Sequence, residues 1–264
     1  MDLAAYLDRI ALGEVPAADA AGLAAVQRAH RLAVPFENID IVLGRGISLD
    51  PDAVFDKIVT RRRGGFCFEQ NQLFLRALGA LGFEAHPLLA RVWLAAADDV
   101  PPRTHTLNLV TIDGTPWIAD AGFGGGYIPP MPLTDQSEMA TPDGAWHRLV
   151  ADVDHGWMLY RRADETADWQ AQYSFTADRV WPSDLALSSH WTATSPESRF
   201  TVQPFVTIVL PRGFASLIGR HYHRTTVAEK TEGEVNARVA RLRLSLMFGI
   251  DLTAEEVAGL GYDG

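Results

Sequence analysis

A chain of 264 residues with 47% hydrophobic and 21% charged residues has an ordinary globular composition and exceeds the usual size of one domain. Its 23 Lys and Arg against 33 Asp and Glu give a formal charge of −10, which opposes the long-range attraction that nucleic acid or an anionic membrane requires. One cysteine excludes an internal disulfide, and no stretch approaches the roughly 18 uninterrupted apolar residues of a membrane span. The acidic, non-basic N-terminal segment does not resemble a leader, so a cytoplasmic protein with no nucleic-acid and no membrane partner is expected.

The first third reads as helical. Leu3, Tyr6, Leu7 and Ile10 share one helical face, and Leu23, Val26 and His30 repeat the pattern. Asp50 followed by Pro51 is a cap-and-first-turn signal for a third helix through Val54, Phe55, Ile58 and Val59. A further helix starts near Cys67, runs through Phe74 and Leu78, and stops at Gly82, a natural left-handed C′ residue. Short alternating runs then predict antiparallel sheet at residues 86–94, 104–112, 117–119, 147–153 and 157–160. Pro129, Pro130 and Pro132 predict a loop without regular structure. A short helix over 183–190, strands over 201–210 and 215–218, and a helix over 235–248 complete the chain.

Gly64 and Gly65 permit a tight turn ahead of Cys67, which places the thiol at a helix N-terminus. Unpaired N–H groups and the helix dipole there favour an anion, so the cysteine is expected to have a lowered pKa. A free cysteine is also commonly an inert buried hydrophobe, and the thiol alone does not decide between the two. A nucleophile needs a base and the base an orienting acceptor. His105 alternates with Leu107 and Leu109 and so points inward. Asp113-Gly114 predicts a two-residue hairpin in which 112 pairs with 115, which puts Asp120 diagonal to His105 on the same face. A three-residue loop would reverse that parity. Zinc is disfavoured: there is no C-x-x-C, and His221 and His223 alone make no site. A Cys-His-Asp set serves hydrolases and transamidases as well as transferases, and a non-catalytic barrel with an inert thiol is a third reading.

The segment Arg63-Gly64-Gly65-Phe66-Cys67-Phe68-Glu69-Gln70-Asn71, with Thr104-His105 and Asp120-Ala121-Gly122-Phe123-Gly124, resembles the arylamine N-acetyltransferases. Residues 34–39, 195–201 and 248–250 are also similar to segments of that family, so the likeness runs nearly the whole chain in order. Ala121, where relatives often carry valine, is a mild departure. The resemblance implies an α+β fold: an N-terminal helical bundle over 1–82 carrying the cysteine, a central antiparallel β-barrel over 83–192 carrying His105 and Asp120, and a C-terminal α/β lid over 193–264. It further implies a cysteine-protease-like triad of Cys67, His105 and Asp120, with acetyl-CoA as co-substrate and no metal. Acetyl groups would pass through an acetyl-cysteine to arylamines or arylhydrazines. Phe36, Phe123 and Phe200 match positions that line the amine pocket, although each also suits a plain core. Arg63 pairing with Glu37 is expected to be a structural ion pair, and Asn71 to support the triad carboxylate. Gly124, Gly125 and Gly126 allow the close backbone approach that CoA phosphates need.

Overall fold

The computed structural model describes residues 1–94 and 99–262. The N-terminal part is helical where the apolar spacing predicts it: α1 (Leu3–Arg9), capped by Asp2, and α2 (Ala20–Ala33), capped by Asp19. A two-residue strand β1 (Phe36–Glu37), a short α3 (Ile39–Val42) and α4 (Pro51–Phe55) follow. The Asp50 carboxylate caps α4 through the N–H groups of Asp52 and Ala53, as its sequence signal predicts. A π-helical turn over Asp56–Thr60 then carries Lys57 into the interior. Helix α5 (Cys67–Ala80) ends at Gly82, whose φ of +91° is the left-handed stop expected there.

Eight antiparallel strands form a near-closed barrel: β2 (Glu84–Val92), β3 (Arg103–Ile112), β4 (Thr115–Ala119), β5 (Met131–Pro132), β6 (Glu138–Ala140), β7 (Trp146–Asp152), β8 (Gly156–Arg162) and β9 (Gln170–Phe175), in the order β5-β4-β3-β2-β9-β8-β7-β6. Asp113 and Gly114 both have positive φ, +49° and +76°, and Ile112 pairs with Thr115, so the predicted register holds. Every residue of β3 from His105 to Val110 is buried, because one face packs into the barrel and the other against α5. The proline-rich stretch is not wholly irregular. Met131 and Pro132 pair with Ile118 and Trp117 as a short edge strand, a place where proline's missing N–H is tolerated.

Helix α6 (Pro182–Thr194) extends beyond the predicted 183–190, its first turn capped by Asp184. The second sheet contains β10 (Phe205–Leu210), β11 (Gly213–Ile218), β12 (His221–Thr226) and β13 (Lys230–Glu234), packed on α7 (Ala237–Phe248) and α8 (Ala254–Gly259). Residues 201–204 are turn rather than the start of β10. The edge of this sheet is β1, which pairs antiparallel with β10 through Phe36–Thr207 and Glu37–Val206. The N-terminal segment is therefore hydrogen-bonded into the C-terminal sheet.

Candidate active site

Cys67 is the first residue of α5. The residue with positive φ in the preceding turn is Arg62, at +54°, and not either glycine. Gly64 and Gly65 serve close approach instead. A Cβ on Gly64 would lie 2.2 Å from the Pro35 carbonyl oxygen, and Phe36 bridges to Gly65 in parallel. The Phe66 N–H donates to Glu69 Oε2 at 3.0 Å, which closes the start of the helix.

The thiol of Cys67 is 2% exposed, and its Sγ points toward the Thr104 carbonyl oxygen at 3.8 Å. Burial pushes its pKa up and the Asp120 charge adds to that, whereas backbone N–H groups of Thr106, Phe68 and Cys67 pull the other way. The lowered value expected from the helix N-terminus alone is therefore not reached, because loss of solvent outweighs the dipole.

His105 Nε2 lies 2.7 Å from Asp120 Oδ2, and the imidazole is held between Phe123 and Tyr173 at centroid distances of 5.1 and 5.3 Å. The second carboxylate oxygen accepts from Asn71 Nδ2 and the Gly122 N–H, each at 3.0 Å. Burial opposes the Asp120 charge, but His105, Asn71 and Gly122 prevail and hold the carboxyl below its ordinary value. Asn71 also donates to the Thr106 carbonyl at 2.6 Å and accepts from the Ala121 N–H at 3.0 Å, so one side chain of α5 ties the strand that carries His105 to the segment after β4 that carries Asp120. Only glycine fits at 122, since a Cβ there would sit 2.6 Å from Asn71 Nδ2. Two buried partners were not legible in the sequence. Gln27 accepts from the Asp120 N–H at 2.9 Å, and the Arg31 guanidinium donates to the Gly125 carbonyl at 3.0 Å. Burial lowers the Arg31 pKa to about 10, with the Asp120 charge opposing the fall. Both lie on α2 four residues apart, a helical spacing that reads equally as core.

Cys67 and His105 open onto a cavity of about 240 Å³ whose walls include Phe36, Phe123, Phe200 and Phe205. Phe36, Phe200 and Phe205 meet with centroids 5.5–5.6 Å apart. Phe205 was hidden in the sequence by its place at the start of a strand. Of the three glycines, Gly124 lines the cavity, and a Cβ there would lie 3.0–3.1 Å from the Phe36 and Phe205 rings. Gly125 has open space where a side chain would be, and Gly126 lies beside Arg161 and Asp143. Arg63 binds Glu37 Oε1 through Nη2 at 2.7 Å and Nε at 3.1 Å, with Lys57 bonding Glu69 and Asp40 at 2.8 Å each. This ion cluster does not line the cavity. His221 and His223 sit on β12 opposite Glu234 and Glu232, and no metal-ligating group of three occurs among the described residues. No helix of the described residues is long and apolar enough to cross a membrane.

A family model described as N-acetyltransferase matches residues 19–257. The arylamine N-acetyltransferase / N-hydroxyarylamine O-acetyltransferase of Salmonella typhimurium is 39% identical over 80% of this chain and 74% of its own length. The arylamine N-acetyltransferase of Escherichia coli is 34% identical over 96% of this chain and 92% of its own. The solved Salmonella structure superposes with a TM-score of 0.91 at 34% identity, covering 98% of this chain and 97% of that one. The Mycobacterium marinum arylamine N-acetyltransferase solved in complex with CoA superposes at 0.90 and 30% identity over 100% of both chains. With a matching fold, full-length relatives, and a thiol and a carboxylate-bonded imidazole lining one cavity, the chain belongs to the arylamine N-acetyltransferase family and is an acetyl-CoA-dependent arylamine N-acetyltransferase.

Proposed function

We propose that acetyl transfer proceeds by double displacement through Cys67, with His105 as the base and Asp120 as the group that orients it. The observation that carries this reading is that His105, held by Asp120 at 2.7 Å through Nε2, shares one aromatic-walled cavity with the only cysteine. With Nε2 engaged, Nδ1 is the nitrogen left to exchange a proton with sulfur. The thiol proton passes to His105 as sulfur attacks the thioester carbonyl of acetyl-CoA. The developing oxyanion falls to the unpaired N–H groups of the first turn of α5. His105 returns the proton to the departing CoA thiolate, and the acetyl group stays on Cys67. An arylamine or arylhydrazine nitrogen then attacks the new thioester, His105 takes its proton, and that proton is restored to the sulfur as it leaves. Weakly basic amines suit this site because their lone pair is free at neutral pH.

Phe36, Phe123, Phe200 and Phe205 hold the acceptor ring by burial and offset contact. The donor approaches along Gly124, Gly125 and Gly126, and the open space at Gly125 supports this. The division of labour is by segment: 1–82 supplies the nucleophile, 83–192 the base and acid, and 193–264 the cavity wall at Phe200 and Phe205. Asn71 is a positioning residue, and the Arg63–Glu37 pair is structural. A catalytic free thiol fits a reducing cytoplasm. Intact mass after incubation with acetyl-CoA tests the scheme. The expected result is one acetyl adduct that is stable in buffer, is discharged by an arylamine and does not form in Cys67→Ala. Spontaneous loss of the adduct would indicate a hydrolase, and turnover by Cys67→Ala would refute the covalent route.

A further inference from the structure

Among the described residues, Arg199 is the only lysine or arginine lining the cavity that exposes Cys67 and His105. Its guanidinium carbon lies 4.7 Å from the centroid of Phe205 and 5.9 Å from that of Phe200, rings that wall the same cavity. Two aromatic faces hold the planar group and leave its N–H edge for another partner. No described carboxylate supplies one within ion-pair distance, in contrast to Arg63 on Glu37 and Arg61 on Asp56. Glu197 lines the cavity as well but does not pair with it. Although the residue is exposed overall, partial desolvation beside the rings lowers the Arg199 pKa, and no neighbouring carboxylate raises it. A guanidinium that rests on aromatic rings at the exposed mouth of the cavity, with its N–H fork unpaired, suits recognition of an oxyanion.

Two oxyanions enter this enzyme's chemistry, a carboxylate on the acceptor ring and the phosphates of CoA. A cavity of about 240 Å³ that also holds the nucleophile takes a single aromatic ring, whereas the phosphates of CoA stand a full pantetheine arm away from the reacting sulfur. We propose that Arg199 is the specificity-determining cation of the acceptor site, and that this enzyme prefers arylamines and arylhydrazines carrying a carboxylate or similar ring anion over neutral ones. The proposal rests on reading the cavity as the acceptor site.

The test compares kcat/KM for 4-aminobenzoate and its methyl ester, which present similar amines with and without the charge, in the parent, Arg199→Met, Arg199→Lys and Glu197→Gln. The acid-to-ester ratio should exceed one in the parent, fall about tenfold in Arg199→Met, recover in part in Arg199→Lys and rise in Glu197→Gln. An unchanged ratio in Arg199→Met would overturn the proposal. A raised KM for acetyl-CoA with the ratio unchanged would overturn it in favour of a donor phosphate. Failure of the parent to acetylate either compound would overturn the acceptor-site reading beneath it.

Discussion

The sulfur of Cys67 sits between burial and the Asp120 charge, which resist ionisation, and three backbone N–H groups, which favour it. Because resistance prevails, the proposed scheme has the thiol proton leave to His105 as the sulfur reacts, so that no isolated anion need form. Replacing His105 with Gln removes the acceptor, so iodoacetamide labelling of Cys67 in that variant should be slow at neutral pH and still be climbing at roughly pH 9, while the parent labels readily at neutral pH. Identical profiles would show that the helix N-terminus ionises the sulfur unaided. Asp120→Asn keeps an acceptor for Asn71 and Gly122 but offers an N–H to His105 and inverts its tautomer. Acylation measured in single turnover should fall by on the order of 10³–10⁴, and a loss under tenfold would remove Asp120 from the triad. The contact of His105 with Asp120 was legible because Asp113-Gly114 fixes the register that aligns the two. The direction of the thiol's pKa was not, since a helix N-terminus is a local signal and burial is a property of the finished fold.

Helix α5 begins on a carboxylate that serves two masters: Glu69 Oε2 accepts from the Phe66 N–H, and Oε1 accepts from Lys57 at 2.8 Å. Burial raises its pKa from 4.5 to about 7, helped by Glu37 and resisted by Lys57 and the Phe66 N–H. An acid raised in this way binds a proton on folding between about pH 4.5 and 7, so its contribution to stability improves as pH falls through that window and is least favourable above it. Glu69→Gln, which carries no charge, should therefore compare better with the parent at pH 8 than at pH 5. Thermal midpoints of the two proteins across that range measure the difference, and a difference independent of pH would place the titrating proton elsewhere. Of the other members of this cluster, Lys57 and Asp40 gave no sequence signal; a lysine in a helical run reads as solvated until a π-helical turn carries it inward. Element types were readable where capping or a turn dipeptide marked an end, as at Asp50 and Gly82. Strand β9 escaped because its inward face holds only Tyr173 and Phe175, and it buries polar residues that find partners only in the fold or along the strand, Ser174 accepting from Trp93 Nε1 at 2.9 Å and Gln172 donating to the Gln170 carbonyl at 3.1 Å.

Sequence order suggests three consecutive segments, yet the molecule is stitched across them. Strand β1 leaves the helical segment to become the edge of the C-terminal sheet, and the first apolar cluster joins Leu73 and Phe74 of α5 to Val110 and Ile112 of the barrel. Asn38, one residue beyond β1, fastens the aromatic wall. Its Nδ2 donates to the carbonyls of Phe200 and Gln203 at 2.7 and 2.9 Å, and its Oδ1 accepts from the Phe205 N–H at 2.6 Å. That side chain spans more than 160 residues of sequence, which is why no local pattern discloses its role. Asn38→Ala leaves those backbone groups without this partner and should cost about 2–3 kcal/mol, lowering the thermal midpoint by roughly 5 °C or more. The loss also has a functional side, because the segment it releases carries Phe200 and Phe205 of the cavity wall but not Cys67, His105 or Asp120. Discharge of the acetyl-enzyme by an arylamine should therefore slow more than acylation by acetyl-CoA when the half-reactions are timed separately. Equal slowing of both would mean that Asn38 acts on the triad and not on the wall.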